Sequence, residues 1–170
     1  MKLSVSYNFF NGEEHLQASV RSIRASVDFV SVVYQEISNS GEPITDIALA
    51  LLTSLKKQGL VDVIYKYEPN LQIERFNNEL EKRRIGLQLA LDADCTHFFT
   101  MDADEFYRRD ELDFAKKLIV ANNIESSSVS SFFHLKSPIW RAKDSTCCAF
   151  ITRISAQTVL GEKKIPYSEC

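Results

Sequence analysis

Apolar and polar positions change period repeatedly along the chain, and each change marks an element. Residues 2–8, KLSVSYN, alternate and include Val and Tyr, which predicts a strand. FFNGEE follows as a loop with Gly12 as its flexible point. In residues 14–25, EHLQASVRSIRA, Leu16, Val20 and Ile23 fall at helical spacing. DFVSVVYQ, residues 28–35, reads as a second strand, and EISNSGEP as a turn-rich loop. A helix is expected from Pro43, in its first turn, to about Lys57, with Gly59 closing it and Ile47, Leu51, Leu52 and Leu55 as its apolar face.

VDVIYKY, residues 61–67, predicts a third strand. Residues 71–92 form a long helical pattern with Ile73, Phe76, Leu80, Leu87 and Leu91 on one stripe. THFFTMD is the fourth strand, and RDELDFAKKLIVANN the helix after it. SSSVSSFFHLKS and STCCAFITRIS predict two more strands. Strands alternating with helices specify an α/β fold: a mostly parallel central sheet flanked by helices. The near-continuous apolar run before Asp102 suits a central strand of such a sheet.

In open α/β sheets, ligands bind beyond the carboxyl ends of the strands. Asn8, Gln35 and Asp102 each sit near the end of a predicted strand and are expected on one rim. There the fourth strand runs into Asp102, Asp104 and Glu105, three acids in four positions. Alternate spacing in an extended segment aims Asp102 and Asp104 to one side. Converging carboxylates call for a cation or a shared proton. A hard cation, Mg²⁺ or Mn²⁺, takes one or two carboxylates together with substrate phosphates. The competing interpretation is a solvated acidic turn capping the next helix. Glu105 either supports a metal shell or favours that helix N-terminus. An EF-hand loop is excluded because Tyr107 occupies the position that requires Gly. A haloacid-dehalogenase-type D-x-D-x-T phosphatase is disfavoured by Phe106 at the Thr position.

The stripe of the third helix is interrupted where Arg83 or Arg84 replaces an apolar group. A guanidinium there either snorkels from the core edge or faces the rim, ready for a phosphate. Gly86, which costs about 1 kcal/mol relative to Ala in a helix, allows close packing against a strand or close approach of a ligand.

Composition narrows the function classes. The 170 residues suffice for one domain with a core. A net charge of −3 with scattered Lys and Arg leaves no footprint for nucleic acid. No run is long enough for a transmembrane helix, and the N-terminus is no signal peptide. Cys95, Cys147, Cys148 and Cys170 lack metal-site spacing and are expected as free thiols in a reducing cytoplasm. The closing GEKKIPYSEC has neither a tail's polarity nor the pattern of a closing helix. The single domain of residues 1–170 is therefore expected to be truncated on its C-terminal, acceptor side.

Two segments carry a family likeness. VSYNFFNGEEHLQASVRSI resembles the opening of family 2 glycosyltransferases, where a strand ends in Tyr-Asn and an acidic loop leads into a helix. KRRIGLQLALDADCTHFFTMDADEFY resembles that family's basic-x-x-Gly-Leu-x-x-Ala segment, its hydrophobic strand and its D-x-D motif. The resemblance implies a glycosyltransferase A-type fold with a Rossmann-like nucleotide-binding half. It also implies a nucleotide-diphosphate sugar as donor (a UDP-sugar), Mn²⁺ or Mg²⁺, and a glycan or lipid-linked acceptor such as a cell-surface glycan precursor. Location would be cytoplasmic, peripheral to the inner membrane face. By position, Asp104 is the main metal ligand, and Asp102 touches the ribose or the metal region. Asn8 lines the nucleotide pocket, and Arg83 lies near the nucleotide or diphosphate. The family's Asp-Asp-Gly-Ser, whose Asp recognises the base, is replaced by VVYQEISNSGEP, so Gln35 or Glu36 takes that position. The catalytic residues are not identified: Glu162 and Glu169 match no late acidic motif, His134 is expected to be structural, and Trp140 stacks on an acceptor sugar or simply packs. Two alternatives stand beside this: a sugar-1-phosphate nucleotidyltransferase, disfavoured by the single Gly of NFFNGEE, and a non-catalytic nucleotide-sugar-binding module.

Overall fold

The computed structural model describes residues 1–134 and 139–160, with side chains omitted at 143 and 144. Its elements run β1 (Leu3–Phe9), α1 (Glu13–Ile23), a 3₁₀ turn (Arg24–Ser26), β2 (Phe29–Tyr34), α2 (Asp46–Lys57), β3 (Val63–Lys66), α3 (Arg75–Asp92), β4 (His97–Asp102), α4 (Arg109–Ala121), β5 (Ser126–His134) and β6 (Arg141–Arg153). Among the described residues, one six-stranded sheet has the order β3-β2-β1-β4-β6-β5. The first four strands in that order are mutually parallel, as the alternation with helices requires. β6 returns antiparallel to β4, and β5 pairs antiparallel with β6, a direction the sequence pattern leaves open.

β1 is buried along nearly its whole length because both faces of the sheet are covered. Leu3, Val5, Tyr7 and Phe9 join a core with Leu16, Val20 and Ile23 of α1, Leu52 and Leu55 of α2, and Leu112 and Ile119 of α4. The residues between them, Ser4 and Ser6, belong to the other face, where α3 lies. Leu87 and Ala90 of α3 pack there with Cys95, Phe98 and Ile154.

Two helices differ from expectation. Thr45 caps α2, its hydroxyl accepting from the Ala48 amide at 3.1 Å, so the helix begins at Asp46. Pro43 instead bridges to Ile37 outside the helix. The buried row is Ala48, Leu52 and Leu55, and Ile47, about 100° around from Ala48, is 70% exposed. Gly59 closes α2 as expected, with φ +67 and the Leu60 amide bonded to Leu55 O. In α3, Ile73 precedes the helix and Phe76 faces solvent, while Leu80 and Leu87 are buried. The face against the sheet also carries Asn78, Lys82, Gly86 and Ala90, a row at four-residue steps.

Gly86 decides how close α3 comes. A Cβ there would lie 2.1 Å from Ser6 Oγ and 2.5 Å from Ser6 Cβ. Of the two roles open to this glycine, packing against a strand is the one observed. The cysteine expectation holds in part: Cys95 and Cys148 are free thiols, whereas Cys147 is disulfide-bonded. Among the described residues, no helix is long and apolar enough to cross a membrane.

Gly86→Ala should destabilise the fold by about 2–3 kcal/mol through overpacking, although the same change on an exposed helix face would gain about 1 kcal/mol. Urea unfolding measures the difference. Adding Ser6→Gly should recover part of the loss; strict additivity of the two changes would show that the Gly86–Ser6 contact is not the cause.

Candidate functional site

The parallel strands end on one rim. Asn8 of β1 lies in register with Asp102, the last residue of β4. Gln35 directly follows β2. A cleft of about 660 Å³ opens above these ends, and Asn8, Gln35, Arg83, Asp102 and Asp104 all line it. The loop Phe10–Gly12 forms another wall, with Lys82, Glu79 and Arg75 of α3 opposite.

The acidic turn has a defined shape. Asp102 and Asp104 are exposed toward the cleft, while Ala103 between them is buried. The alternation expected of an extended segment is thus realised. Gly12, with φ +90, sits against Ala103: a Cβ at Gly12 would approach the Ala103 Cβ to 3.2 Å. Glu105 bonds within the acidic turn rather than capping α4. Its carboxylate accepts from the Asp102 amide at 3.0 Å, and its own amide donates to Asp102 O at 3.1 Å, closing the turn. It does not line the cleft, and the acids in the first turn of α4 are Asp110 and Glu111. Burial raises the Glu105 carboxyl above its ordinary pKa, a shift that the hydrogen bond from Asp102 opposes.

A buried relay holds this turn to α1. The Tyr7 hydroxyl meets Ser19 Oγ at 2.9 Å, and the Ser19 hydroxyl donates to Glu105 O. Burial drives the Tyr7 phenol pKa upward, so it stays protonated. Past the turn, Tyr107 stacks on Phe150 at 5.2 Å and meets Phe99 edge-on at 5.6 Å. The D-x-D segment is thereby pinned on both sides.

Structure separates the two arginines. Arg83 reaches the rim, donating to Thr100 Oγ1 and pairing with Asp102 at 3.4 Å. Arg84 turns away, pairing with Glu81 and donating to Leu160 O at 3.1 Å. Asn78, buried on the sheet-facing side of α3, ties the helix start to the preceding loop: it accepts from Tyr67 Oη at 2.7 Å and donates to Asn70 O at 2.9 Å. Sequence reasoning passed over Asn78 and Lys82. The signal available was the Gly86–Ala90 pair, two small residues four apart, which marks the close-packed face and, extended backwards, reaches both.

Polar atoms in the cleft are incompletely satisfied. Asn8 Oδ1 and Gln35 Oε1 are buried without a hydrogen-bond partner. Such acceptors are rare in native interiors and suit a donor supplied by a ligand. Ser4, Ser6 and Ser26 Oγ are also buried without a partner, outside the cleft. At the amino ends of the strands, Asp28 accepts from Leu3 N at 2.7 Å and Asp62 from Val30 N at 2.8 Å. Lys82 is 5% exposed. Burial lowers its pKa, against the opposing pull of Glu79 and Asp102. Among the described residues, no group of three or more His, Cys, Asp or Glu could hold a metal ion. At the acidic turn the donors are the carboxylates of Asp102 and Asp104, a set that fits a hard cation only when a ligand's oxygens complete its shell. His134 and Trp140 are exposed and do not line the cleft. Glu162 and Glu169 lie outside the described residues.

No family model matches the chain, and no curated protein matches it. Among solved structures, it is similar to S. aureus TarS 1-349, with a TM-score of 0.53 and 18% identity over 75% of this chain. It spans 34% of that protein's length. A second similar structure is a 4-diphosphocytidyl-2C-methyl-D-erythritol synthase, with a TM-score of 0.49, 13% identity, and coverage of 90% of this chain and 75% of that one. The chain has the expected α/β fold, glycosyltransferase A-like, with a mostly parallel sheet flanked by helices.

The relay predicts unequal effects of two deletions. Ser19→Ala leaves both the Tyr7 hydroxyl and Glu105 O without their partner, and should cost about 2–3 kcal/mol. Tyr7→Phe leaves the Ser19–Glu105 bond intact and should cost about 1 kcal/mol. Denaturant midpoints compare them; equal losses would show that Ser19 does not carry the connection.

Proposed function

We propose that this chain is the donor-binding part of a metal-dependent glycosyltransferase, moving a sugar from a nucleotide-diphosphate donor to a glycan or lipid-linked acceptor. The observation that supports this best is the convergence of Asn8, Gln35, Arg83, Asp102 and Asp104 on one cleft at the carboxyl ends of parallel strands. The family resemblance implies donor-side roles for Asn8, Arg83 and Asp102 and a metal role for Asp104, with Gln35 or Glu36 at the base-recognising position. The similar structures are consistent with such a fold and carry no more than that.

In this reading the buried acceptors Asn8 Oδ1 and Gln35 Oε1 take N–H or O–H groups of the nucleoside. A neutral amide at Gln35, unlike a carboxylate, adds no charge against the donor's phosphates. Arg83 meets the diphosphate, released in part from Asp102 as the ligand arrives. Asp102 and Asp104 would hold Mn²⁺ or Mg²⁺, which supplies Lewis-acid neutralisation of the leaving diphosphate. The acceptor is a cell-surface glycan precursor, and the site of action the cytoplasmic face of the membrane.

One observation disfavours a nucleotidyltransferase. The N-terminus of α1, where a phosphate loop would deliver its ligand, carries Glu13 and Glu14, and Glu14 lines the cleft. These acids oppose the attraction a free helix terminus offers an anion. A non-catalytic nucleotide-sugar-binding module is the second reading, because among the described residues the cleft groups named above serve the donor and none is a base for an acceptor.

Thermal unfolding with UDP, GDP, CDP and ADP tests the proposal. At about 100 times its Kd, the correct nucleotide with Mn²⁺ should stabilise by about 2.7 kcal/mol, raising Tm by roughly 5–10 °C for a domain of this size. Asp104→Ala should remove the Mn²⁺-dependent part of that rise. No shift from any nucleotide with Mn²⁺ present would defeat the reading. Binding without hydrolysis or transfer of the matching nucleotide sugar would favour the non-catalytic module.

A further inference from the structure

Lys82 lies on the sheet-facing row of α3 and lines the cleft while only 5% exposed. Its stem is buried against the sheet, while the ammonium is not fully buried and so keeps its small remaining surface in the cleft that the residue lines. Its fellow cations in the cleft are occupied. Arg75 pairs with Glu79 at 2.8 Å, and Arg83 with Asp102 at 3.4 Å as well as with Thr100. Among the described residues, the Lys82 ammonium makes neither a hydrogen bond nor an ion pair. Glu79 and Asp102 act on its charge only from a distance, and Arg83 and Arg75 oppose it. A largely desolvated charge without a protein partner is one that a ligand of opposite charge can pair.

Its position follows from the Gly86 contact. α3 runs back over the sheet between two parallel strands, so residues before Gly86 lie toward the carboxyl ends. One helical turn, about 6 Å, separates Gly86 from Lys82. Two strand residues, about 6.6 Å, separate Ser6 from Asn8. Lys82 is therefore carried level with Asn8, whose amide reaches Glu79 O at 3.4 Å. That level is the rim itself, beside Asp102.

We infer that Lys82 is the principal protein cation for the diphosphate of the bound nucleotide, its ammonium being the unpaired charge that the ligand's phosphate oxygens complete. This rests on the donor-site reading above and deepens it. The site then carries a resident positive charge in the same cleft as the exposed Asp102 and Asp104, so the diphosphate has a protein cation besides any metal the carboxylates hold. Anion binding would consequently retain a component that does not depend on a divalent cation.

Calorimetric titration of the full chain tests this with the tightest binder among UDP, GDP, CDP and ADP, its parent nucleoside, and inorganic pyrophosphate, each in EDTA and in Mn²⁺. Lys82→Met, which keeps the length and removes the charge, should weaken the diphosphate and pyrophosphate at least tenfold in EDTA. It should leave the nucleoside within twofold and melt no lower than wild type without ligand. Lys82→Gln serves as the second variant, and the same pattern is expected of it. Wild-type-like diphosphate affinity in both variants overturns the role of Lys82 while leaving the donor site standing. Equal weakening of nucleoside and diphosphate, or failure of both variants to fold, makes Lys82 a structural residue and overturns the inference. Absence of any nucleotide binding by wild type, with or without Mn²⁺, removes the donor-site reading and this inference together.

Discussion

The architecture of the cleft depends on one close contact, that of Gly86 in α3 with Ser6 in β1. A methyl group cannot be inserted there without moving either the helix or the strand. Small serines on one side of β1 and a glycine on the helix let the two backbones approach. The helix then carries Lys82 of its sheet-facing row, and its neighbour Arg83, to the cleft where the strands end. On the other face of the same strand, Tyr7 reaches through Ser19 to the acidic turn. β1 thus sets both walls of the site: its even residues seat α3, and its odd residues seat α1 and, through it, the D-x-D segment.

Charge in the site is arranged against the usual economy of a protein interior. At the amino ends of the strands, the carboxylates of Asp28 and Asp62 are satisfied by backbone amides. At the carboxyl ends, Asn8 Oδ1 and Gln35 Oε1 are buried without partners in the cleft that Asp102, Asp104 and Lys82 also line. Unsatisfied buried polar groups lower stability. The hydroxyls of Ser4, Ser6 and Ser26 are likewise unpaired but lie outside the cleft, so Asn8 and Gln35 are the two such groups that a ligand in the cleft could complete.

Much of the framework was legible in the order of residues. Strand identity came from period and composition, and α1, α4 and the first four strands lie close to where those patterns put them. The rim residues could be named because a parallel sheet has one ligand-binding edge and strand ends can be read from where apolar runs stop. The helix faces were harder. Ile47 and Phe76 look like core residues by hydrophobicity, yet both are exposed: α2 buries the row of Ala48, Leu52 and Leu55, and in α3 the close approach at Gly86 turns a row of small and polar groups to the sheet. Hydrophobic periodicity locates the greasiest face, whereas packing distance selects the face that fits.

By itself, then, the sequence determined the α/β alternation, the placement of Asn8, Gln35 and Asp102 at strand ends, and the one-sided aim of Asp102 and Asp104. These follow from local period and from the chirality of parallel connections. Only the tertiary structure decided that Arg83 rather than Arg84 turns to the rim, that Glu105 closes the acidic turn, and that Lys82 is buried without a partner. It alone also set β5 and β6 antiparallel to their neighbours. Each of those outcomes depends on which surfaces meet across long separations in the chain. The Gly86–Ser6 contact joins residues eighty positions apart, and no local pattern encodes the distance between a helix and the strand it covers.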